Sequence, residues 1–135
     1  TYTGSNGDLK GIEKIEKYEL DSGVHTIATC IVKYMGKRVT CQSIIPGILS
    51  YSYWESISEY GSSNNCDTIS TSEEFSSSLK ELIKNVGLKT VKVLEKSTGE
   101  VKEICGSPEI KGVKGTDKRK YLIDLLRINI RDGNY

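Results

Sequence analysis

The stretch "GVKGTDKRKYLIDLLR", residues 112–127, joins two strand-like segments through a short polar turn. Its first half contains glycines and a Thr-Asp pair, which are typical turn residues. Its second half is mostly apolar from Tyr121 onward. The pattern predicts an antiparallel hairpin formed by residues 109–115 and 119–130.

Two registers of this hairpin are compatible with the residues. A four-residue turn over residues 116–119 places Lys111 opposite Asp124, which is a favourable cross-strand pair of charges. A two-residue turn instead places Glu109 opposite that aspartate, where like charges repel. The shorter turn also brings Tyr121 over a glycine, so the sequence leaves both registers open.

Alternation along the second strand separates two faces. Tyr121, Ile123 and Leu125 share one face, which we predict to be the core face. Asp124 lies on the other face, and a carboxylate removed from water requires a partner. We therefore expect a structural ion pair at Asp124.

The segment "SEEFSSSLKELIKNVG", residues 72–87, has the clearest helical pattern. Thr71 and Glu74 have the spacing of a capping box, and Gly87 is a typical helix stop. We predict one long amphipathic helix over about residues 72–86. Its apolar stripe consists of Phe75, Leu79, Leu82, Ile83 and Val86.

A second hairpin is predicted closer to the N-terminus. Residues 25–34 and 37–45 are rich in β-branched side chains and are separated only by Met35 and a glycine. A two-residue turn at this point pairs Cys30 with Cys41. The two thiols are therefore expected to be cross-strand neighbours.

The remaining segments complete the predicted order of elements. Residues 89–96 and 101–106 predict a third hairpin, residues 56–60 a short strand, and residues 62–72 a loop. The order β-β-β-α-β-β-β-β predicts an α+β fold. In this fold, the single helix packs on a mainly antiparallel sheet built from hairpins.

Composition is that of an ordinary globular domain. The 135 residues are 36% hydrophobic and 27% charged, with a net charge of +1. We expect residues 1–7 to be a disordered polar tail and residues 8–135 to form one domain of a larger protein. No apolar run approaches the ~20 residues of a membrane span, so membrane insertion is not expected.

The residues with reactive or metal-binding side chains do not form a recognisable motif. The four cysteines include no C-x-x-C pair, and His25 is the only histidine, so neither a metal site nor a cofactor is expected. The spacing from Gly106 to Gly112 does not match a phosphate-binding loop. We predict a non-enzymatic protein with reduced thiols in the cytoplasm.

The C-terminal part of the chain is strongly basic. Residues 111–131 contain seven bases and two acids. Such a segment favours phosphate contact without reading of base sequence, although a solvated charged face is the alternative. The candidate nucleic-acid-binding residues are Lys111, Lys114, Lys118, Arg119, Lys120 and Arg127.

Several stretches together resemble a known family. They are "VHT" (24–26), "GKRVTCQSIIPGIL" (36–49), "EYGSS" (59–63) and "GSPEIKGVKGTDKRKYLIDLLRINIRDGNY" (106–135). In this order they are similar to the C-terminal part of the central Clu domain of the clustered-mitochondria family. Val24 replaces a usual leucine, and Lys118 occupies a position where the family pattern has glycine.

The resemblance implies a role rather than a catalytic mechanism. It implies a large eukaryotic cytosolic protein linked to mitochondrial distribution and to binding of messenger RNAs for mitochondrial proteins. Association with translation initiation factor three, with ribosome-associated proteins and with other domains of the same chain is also implied. The alternative is a structural protein-interaction scaffold domain that makes no direct contact with RNA.

Overall fold

A computed structural model describes residues 2–18, 23–48 and 58–128. Helices α1 and α2 span Tyr2–Glu16 and Glu73–Val86, and a 3-10 helix spans Leu125–Ile128. These residues contain nine strands, named β1 to β9 in chain order: Val24–Thr26, Thr29–Tyr34, Lys37–Gln42, Tyr60–Ser63, Thr68–Thr71, Thr90–Leu94, Val101–Cys105, Lys111–Lys114 and Lys120–Ile123.

Five strands form the central sheet, in the order β1-β9-β8-β4-β5. Among the described strands of this sheet only the β1–β9 pair is parallel, so the predicted α+β class and the mainly antiparallel sheet are confirmed. Strands β2 and β3 form one separate two-stranded sheet, and β6 and β7 form another. The prediction of a single long helix is wrong, because α1 is a second helix and includes residues 2–7.

Both faces of the central sheet are buried. The larger cluster contains Leu122 and packs against both helices, whereas a smaller cluster on the opposite face contains Tyr121 and Ile123. Ile27 and Ile45 cover that second face. Tyr121 and Ile123 of the predicted core face are therefore buried together, but the assignment of Leu125 to that face is wrong. The strand ends at Ile123, and Leu125 packs in the other cluster with Leu122. Burial of both faces is typical of a central strand covered on both sides.

Helix α2 contributes the predicted stripe. Phe75, Leu79 and Leu82 are buried, while Ile83 and Val86 are partly buried against the same cluster. The next residue, Gly87, ends the helix with a φ of 78° and donates its N–H to the Ile83 carbonyl at 2.8 Å.

The predicted capping box is wrong. The residue that caps α2 is Ser72, and its side chain makes no capping hydrogen bond. Thr71 is the last residue of β5. The Glu74 carboxylate binds Lys114 instead, at 2.9 Å.

The β2–β3 and β6–β7 hairpins are both present, as the local sequence predicts. Cys30 pairs with Cys41 across the turn at Met35, as expected, and both thiols are free and exposed. The predicted strand over residues 25–34 is divided in two, because its first part leaves the hairpin and pairs with β9.

Two other predictions are corrected. The segment expected to be a loop, residues 62–72, contains β5, which forms a hairpin with β4. The strand predicted over residues 119–130 ends at Ile123, since Asp124 has a φ of 59° and a 3-10 helix follows. Residues 56–57 of the predicted short strand, and 129–130 of the long one, lie outside the described residues.

The β6–β7 hairpin is attached to the central sheet by a buried carboxylate, that of Glu95. Its side chain is 3% exposed and accepts hydrogen bonds from the Ile69 amide at 2.6 Å and the Thr98 hydroxyl at 2.6 Å. Lys102 lies 3.0 Å away. The Thr98, Ile69 and Lys102 interactions together lower the pKa of Glu95 from 4.5 to about 2.

Because the pKa of Glu95 is lower in the folded state, this group stabilises the fold above about pH 4.5. The contribution is expected to be lost as the pH falls toward about 2. Chemical denaturation across this range should show a steeper loss of stability in the parent than in Glu95→Gln. Glu100→Gln, an exposed change in the same turn, is the control. Equal pH dependence of the parent and Glu95→Gln would contradict the prediction.

Candidate nucleic-acid interface

The β8–β9 hairpin carries five of the six candidate bases in its strands and loop. Lys111 lies opposite Ile123, and Lys114 lies opposite Lys120, which leaves residues 115–119 as the loop. Both predicted registers are therefore wrong, because the observed pairing lies between them. The register is determined by burial of both faces of β9, which the turn residues do not reveal.

The loop is held by specific hydrogen bonds. The Asp117 carboxylate accepts one from the Tyr121 hydroxyl at 2.7 Å and one from the Arg119 amide at 3.2 Å. The Thr116 amide donates to the Pro46 carbonyl at 2.9 Å. The bond from Tyr121 is the main cause of the lowered pKa of Asp117, so this carboxylate remains charged and fixes the loop.

Lys118 and Arg119 are the exposed bases of the loop. Lys118 has a φ of 64°, a conformation that glycine adopts most easily, which agrees with the glycine expected there. Its amide donates to the Gly115 carbonyl at 3.0 Å. The Arg119 side chain is 65% exposed, and its Nε lies 3.9 Å from Asp117. These two side chains can reach a ligand in solution.

Lys114 and Lys120 extend toward helix α2. The ammonium of Lys114 lies 2.9 Å from the Glu74 carboxylate, and this bond raises the pKa of Lys114 and lowers that of Glu74. Lys120 donates to the Ser78 hydroxyl and, at 3.4 Å, to the Glu74 carbonyl. A phosphate would therefore compete with oxygen atoms that already bind both ammonium groups.

Lys111 belongs to a different part of the surface. Its side chain is 12% exposed and lies 3.8 Å from the Asp124 carboxylate, so the predicted ion pair is present. Burial raises the pKa of Asp124, and Lys111 opposes that shift. Both residues line an open cleft of about 630 Å³ together with Asp8 and Glu109.

The five candidate bases whose side chains the structure describes do not form one patch. Lys118 and Arg119 lie on the loop, Lys114 and Lys120 contact α2, and Lys111 lines the cleft. The side chain of Arg127 lies outside the described residues. Sequence reasoning missed Glu74 as a partner, because it lies 40 residues from Lys114 along the chain.

In the described part of the chain, no group of three or more histidine, cysteine, aspartate or glutamate side chains is arranged to hold a metal ion. None of the described helices is long and apolar enough to span a bilayer.

Comparison with known proteins identifies the family. A family model described as "Clustered mitochondria" matches residues 1–135, the whole chain. The chain belongs to the clustered mitochondria family. The name of the family links this domain to mitochondrial distribution.

Curated members of the clustered mitochondria family are similar over nearly the whole chain. The Clustered mitochondria protein of Arabidopsis thaliana is 36% identical over 135 residues, covering 100% of this chain and 9% of that protein. The homologue from Debaryomyces hansenii is 39% identical, and the match covers 93% of this chain and 10% of that protein. The homologue from Dictyostelium discoideum is 35% identical, and the match covers 98% of this chain and 12% of that protein.

The chain thus spans about a tenth of the length of the curated relatives it matches. No solved structure is significantly similar to it.

Proposed function

We propose that this domain is a non-enzymatic binding module of a cytosolic clustered mitochondria protein. In this proposal, its β8–β9 loop contacts the phosphates of messenger RNAs for mitochondrial proteins. The observation that carries the proposal is the pair Lys118 and Arg119, exposed on a loop that Asp117 and Tyr121 hold in place. A fixed loop presents its charges without a large further loss of conformational entropy on binding.

Lys114 and Lys120 have a supporting role in this proposal. Each would have to exchange an oxygen of α2 for a phosphate oxygen, so the net gain from either is small. We therefore assign the main contacts to Lys118 and Arg119, and expect about two phosphates to be contacted. Contacts to phosphate hold a ligand in position but do not read base sequence.

The second candidate function is a scaffold that binds proteins and makes no direct contact with RNA. Translation initiation factor three, ribosome-associated proteins and other domains of the same protein are the proposed partners. This candidate is supported by exposed apolar residues on both two-stranded hairpins, including Val39 at 55% and Val101 at 63%. Exposed apolar surface of this kind often marks a protein contact.

A salt titration of single-stranded RNA binding separates the two candidates. With two phosphate contacts, the slope of log affinity against log salt is expected to be about −1.4. The double variant Lys118→Ala, Arg119→Ala should lose most of this slope. Its thermal stability should change little, because exposed charges contribute little to folding.

The matched control is Lys80→Ala, Lys84→Ala, which removes the same charge from exposed positions of α2. It should keep the slope of the parent. Equal flattening by both double variants would mean that net charge, rather than this loop, controls binding. Absence of RNA binding by the parent at low salt would favour the scaffold.

A further inference from the structure

Strands β2 and β3 place two cysteines directly opposite each other. Cys30 of β2 pairs with Cys41 of β3, and both thiols are free and exposed. Because residues that pair across an antiparallel sheet project to the same face, the two side chains leave the hairpin on one side. A reagent in solution therefore meets two neighbouring thiols rather than a single one.

The backbone spacing of this pair fits a disulfide. The Ser43 amide donates to the Ala28 carbonyl at 2.8 Å, so these two residues form a hydrogen-bonded pair. Hydrogen-bonded and non-hydrogen-bonded pairs alternate along an antiparallel ladder, which makes the Cys30–Cys41 pair, two positions further on, hydrogen-bonded as well. The Cα atoms of such a pair are about 5.5 Å apart, within the range of about 4.4–6.8 Å that disulfides span.

The spacing of the Cβ atoms makes the bond a strained one. The Cβ atoms of directly opposed residues are about 4.5–5.5 Å apart, whereas a disulfide brings them to about 3.8 Å. Formation of the bond therefore draws the two strands together at this point. Strained and exposed disulfides are easily reduced, so a bond between Cys30 and Cys41 is expected to be reversible rather than a permanent structural link.

The other two cysteines, which the structure also describes, lack this arrangement. Cys105 is buried, and its partner across the β6–β7 ladder is Thr90, whose hydroxyl lies 3.9 Å from the sulfur. Cys66 is half-buried in the turn between β4 and β5, where its φ is 69°. The two exposed thiols are thus the two that face each other in the β2–β3 hairpin.

We propose that Cys30 and Cys41 form a dithiol site that glutathione disulfide oxidises reversibly to a disulfide bond. The thiolate of one cysteine attacks a sulfur of glutathione disulfide, which forms a mixed disulfide and releases one glutathione. The second thiolate then attacks the protein sulfur of the mixed disulfide and releases the other glutathione. The two protein thiols lose two electrons and two protons, and glutathione disulfide becomes two glutathione thiols.

Oxidation of this site makes the hairpin more rigid. Strands β2 and β3 form a two-stranded sheet of their own, and two-stranded hairpins are only marginally stable. The bond closes the loop of residues 30–41, which lowers the entropy of the opened hairpin and makes opening rarer. The local stability of the hairpin therefore depends on the ratio of glutathione disulfide to glutathione. The site shares no residue with the β8–β9 loop, so it does not depend on RNA binding.

The first test measures the intact mass of the 135-residue chain after native incubation with glutathione disulfide. The parent is expected to lose about 2 Da, the mass of two hydrogen atoms, and to retain no glutathione. Excess reduced glutathione should restore the original mass. The variant Cys30→Ser leaves a single exposed thiol, which should instead retain one glutathione as a mixed disulfide. The matched control, Cys66→Ser, should behave as the parent does.

Trypsin tests the consequence for the hairpin. Lys33, Lys37 and Arg38 lie between the two cysteines. Cleavage at these residues is expected to be at least about tenfold slower in the oxidised chain than in the reduced one, because the closed loop opens less often. Lys92 of the β6–β7 hairpin is the matched site and should be cleaved equally in both states. The products are reduced before mass spectrometry, so that linked fragments are counted separately.

Three results would overturn the proposal. The first is a parent chain whose exposed thiols stay free or each retain a glutathione, which would show that the two sulfurs cannot join. The second is a disulfide that involves Cys66 or Cys105, or that links two chains. The third is a Cys30–Cys41 bond that excess glutathione does not reduce, or that leaves cleavage by trypsin unchanged, since such a bond would not act as a switch.

Discussion

Replacing Leu82 by alanine is expected to lower the free energy of unfolding by about 2–5 kcal/mol. Leu82 is fully buried in the larger core cluster, between helix α2 and the central sheet. The substitution removes apolar contacts and leaves a cavity that the surrounding side chains fill only in part. Denaturant unfolding, monitored by far-ultraviolet circular dichroism, measures the change.

Leu94→Ala is the matched control, because it removes the same atoms from a side chain that is 55% exposed. Its effect is expected to be below about 1 kcal/mol. Similar losses in the two variants would show that Leu82 is not a core residue. That result would contradict the packing of α2 on the sheet.

Replacing Gly61 by alanine is expected to destabilise the domain by about 3 kcal/mol or more. Gly61 lies in β4 with a φ of 99°, a conformation that residues with a Cβ rarely adopt. An added Cβ would lie 2.1 Å from the Ile110 carbonyl oxygen. Since that oxygen belongs to the backbone, relief of the clash requires β4 to move away from the chain beside it.

Gly99→Ala separates the two causes of this effect. Gly99 also has a positive φ, of 73°, but an added Cβ there would meet no atom within 4 Å. The control therefore measures the backbone cost alone, about 1–2 kcal/mol. Thermal unfolding of both variants should place Gly61→Ala well below Gly99→Ala. Equal midpoints would show that Gly61 is not in close contact with Ile110.

The hairpin that carries the candidate interface is part of the core. Strand β8 lies between β9 and β4, and Gly112 pairs with both Leu122 and Tyr60. A Cβ on Gly112 would lie 2.6 Å from the ring of Phe75, so α2 packs directly over the hairpin that carries the basic loop. The strands that carry the loop thus pack against the part of the core that contains Leu82 and Gly61.

The bases of the candidate interface were evident from the sequence, but their partners were not. Lys118 and Arg119 adjoin the predicted turn and are exposed, in agreement with the turn pattern. Lys114 and Lys120 belong to the same basic run, yet they bind Glu74 and Ser78 of α2. No local pattern indicates such pairs, because the partners are brought together only when the helix packs on the sheet.

The sequence by itself determined the elements that depend on neighbouring residues. The stripe and the glycine stop of α2 are local features, and the hairpin turn at Met35 pairs residues close along the chain. The family could also be read from short stretches in order, and the match over residues 1–135 confirms it.

Only the tertiary structure decided the arrangements that depend on distant residues. The parallel pairing of β1 with β9 joins His25 to Tyr121, and nothing near His25 in the sequence indicates it. Packing likewise determined the register of the β8–β9 hairpin. Strand β9 is covered on both faces, and a shift of one residue would move the side chains of each face to the opposite cluster. Long-range contacts select among the pairings that local preference allows, since burial of apolar area contributes more free energy than turn preference does.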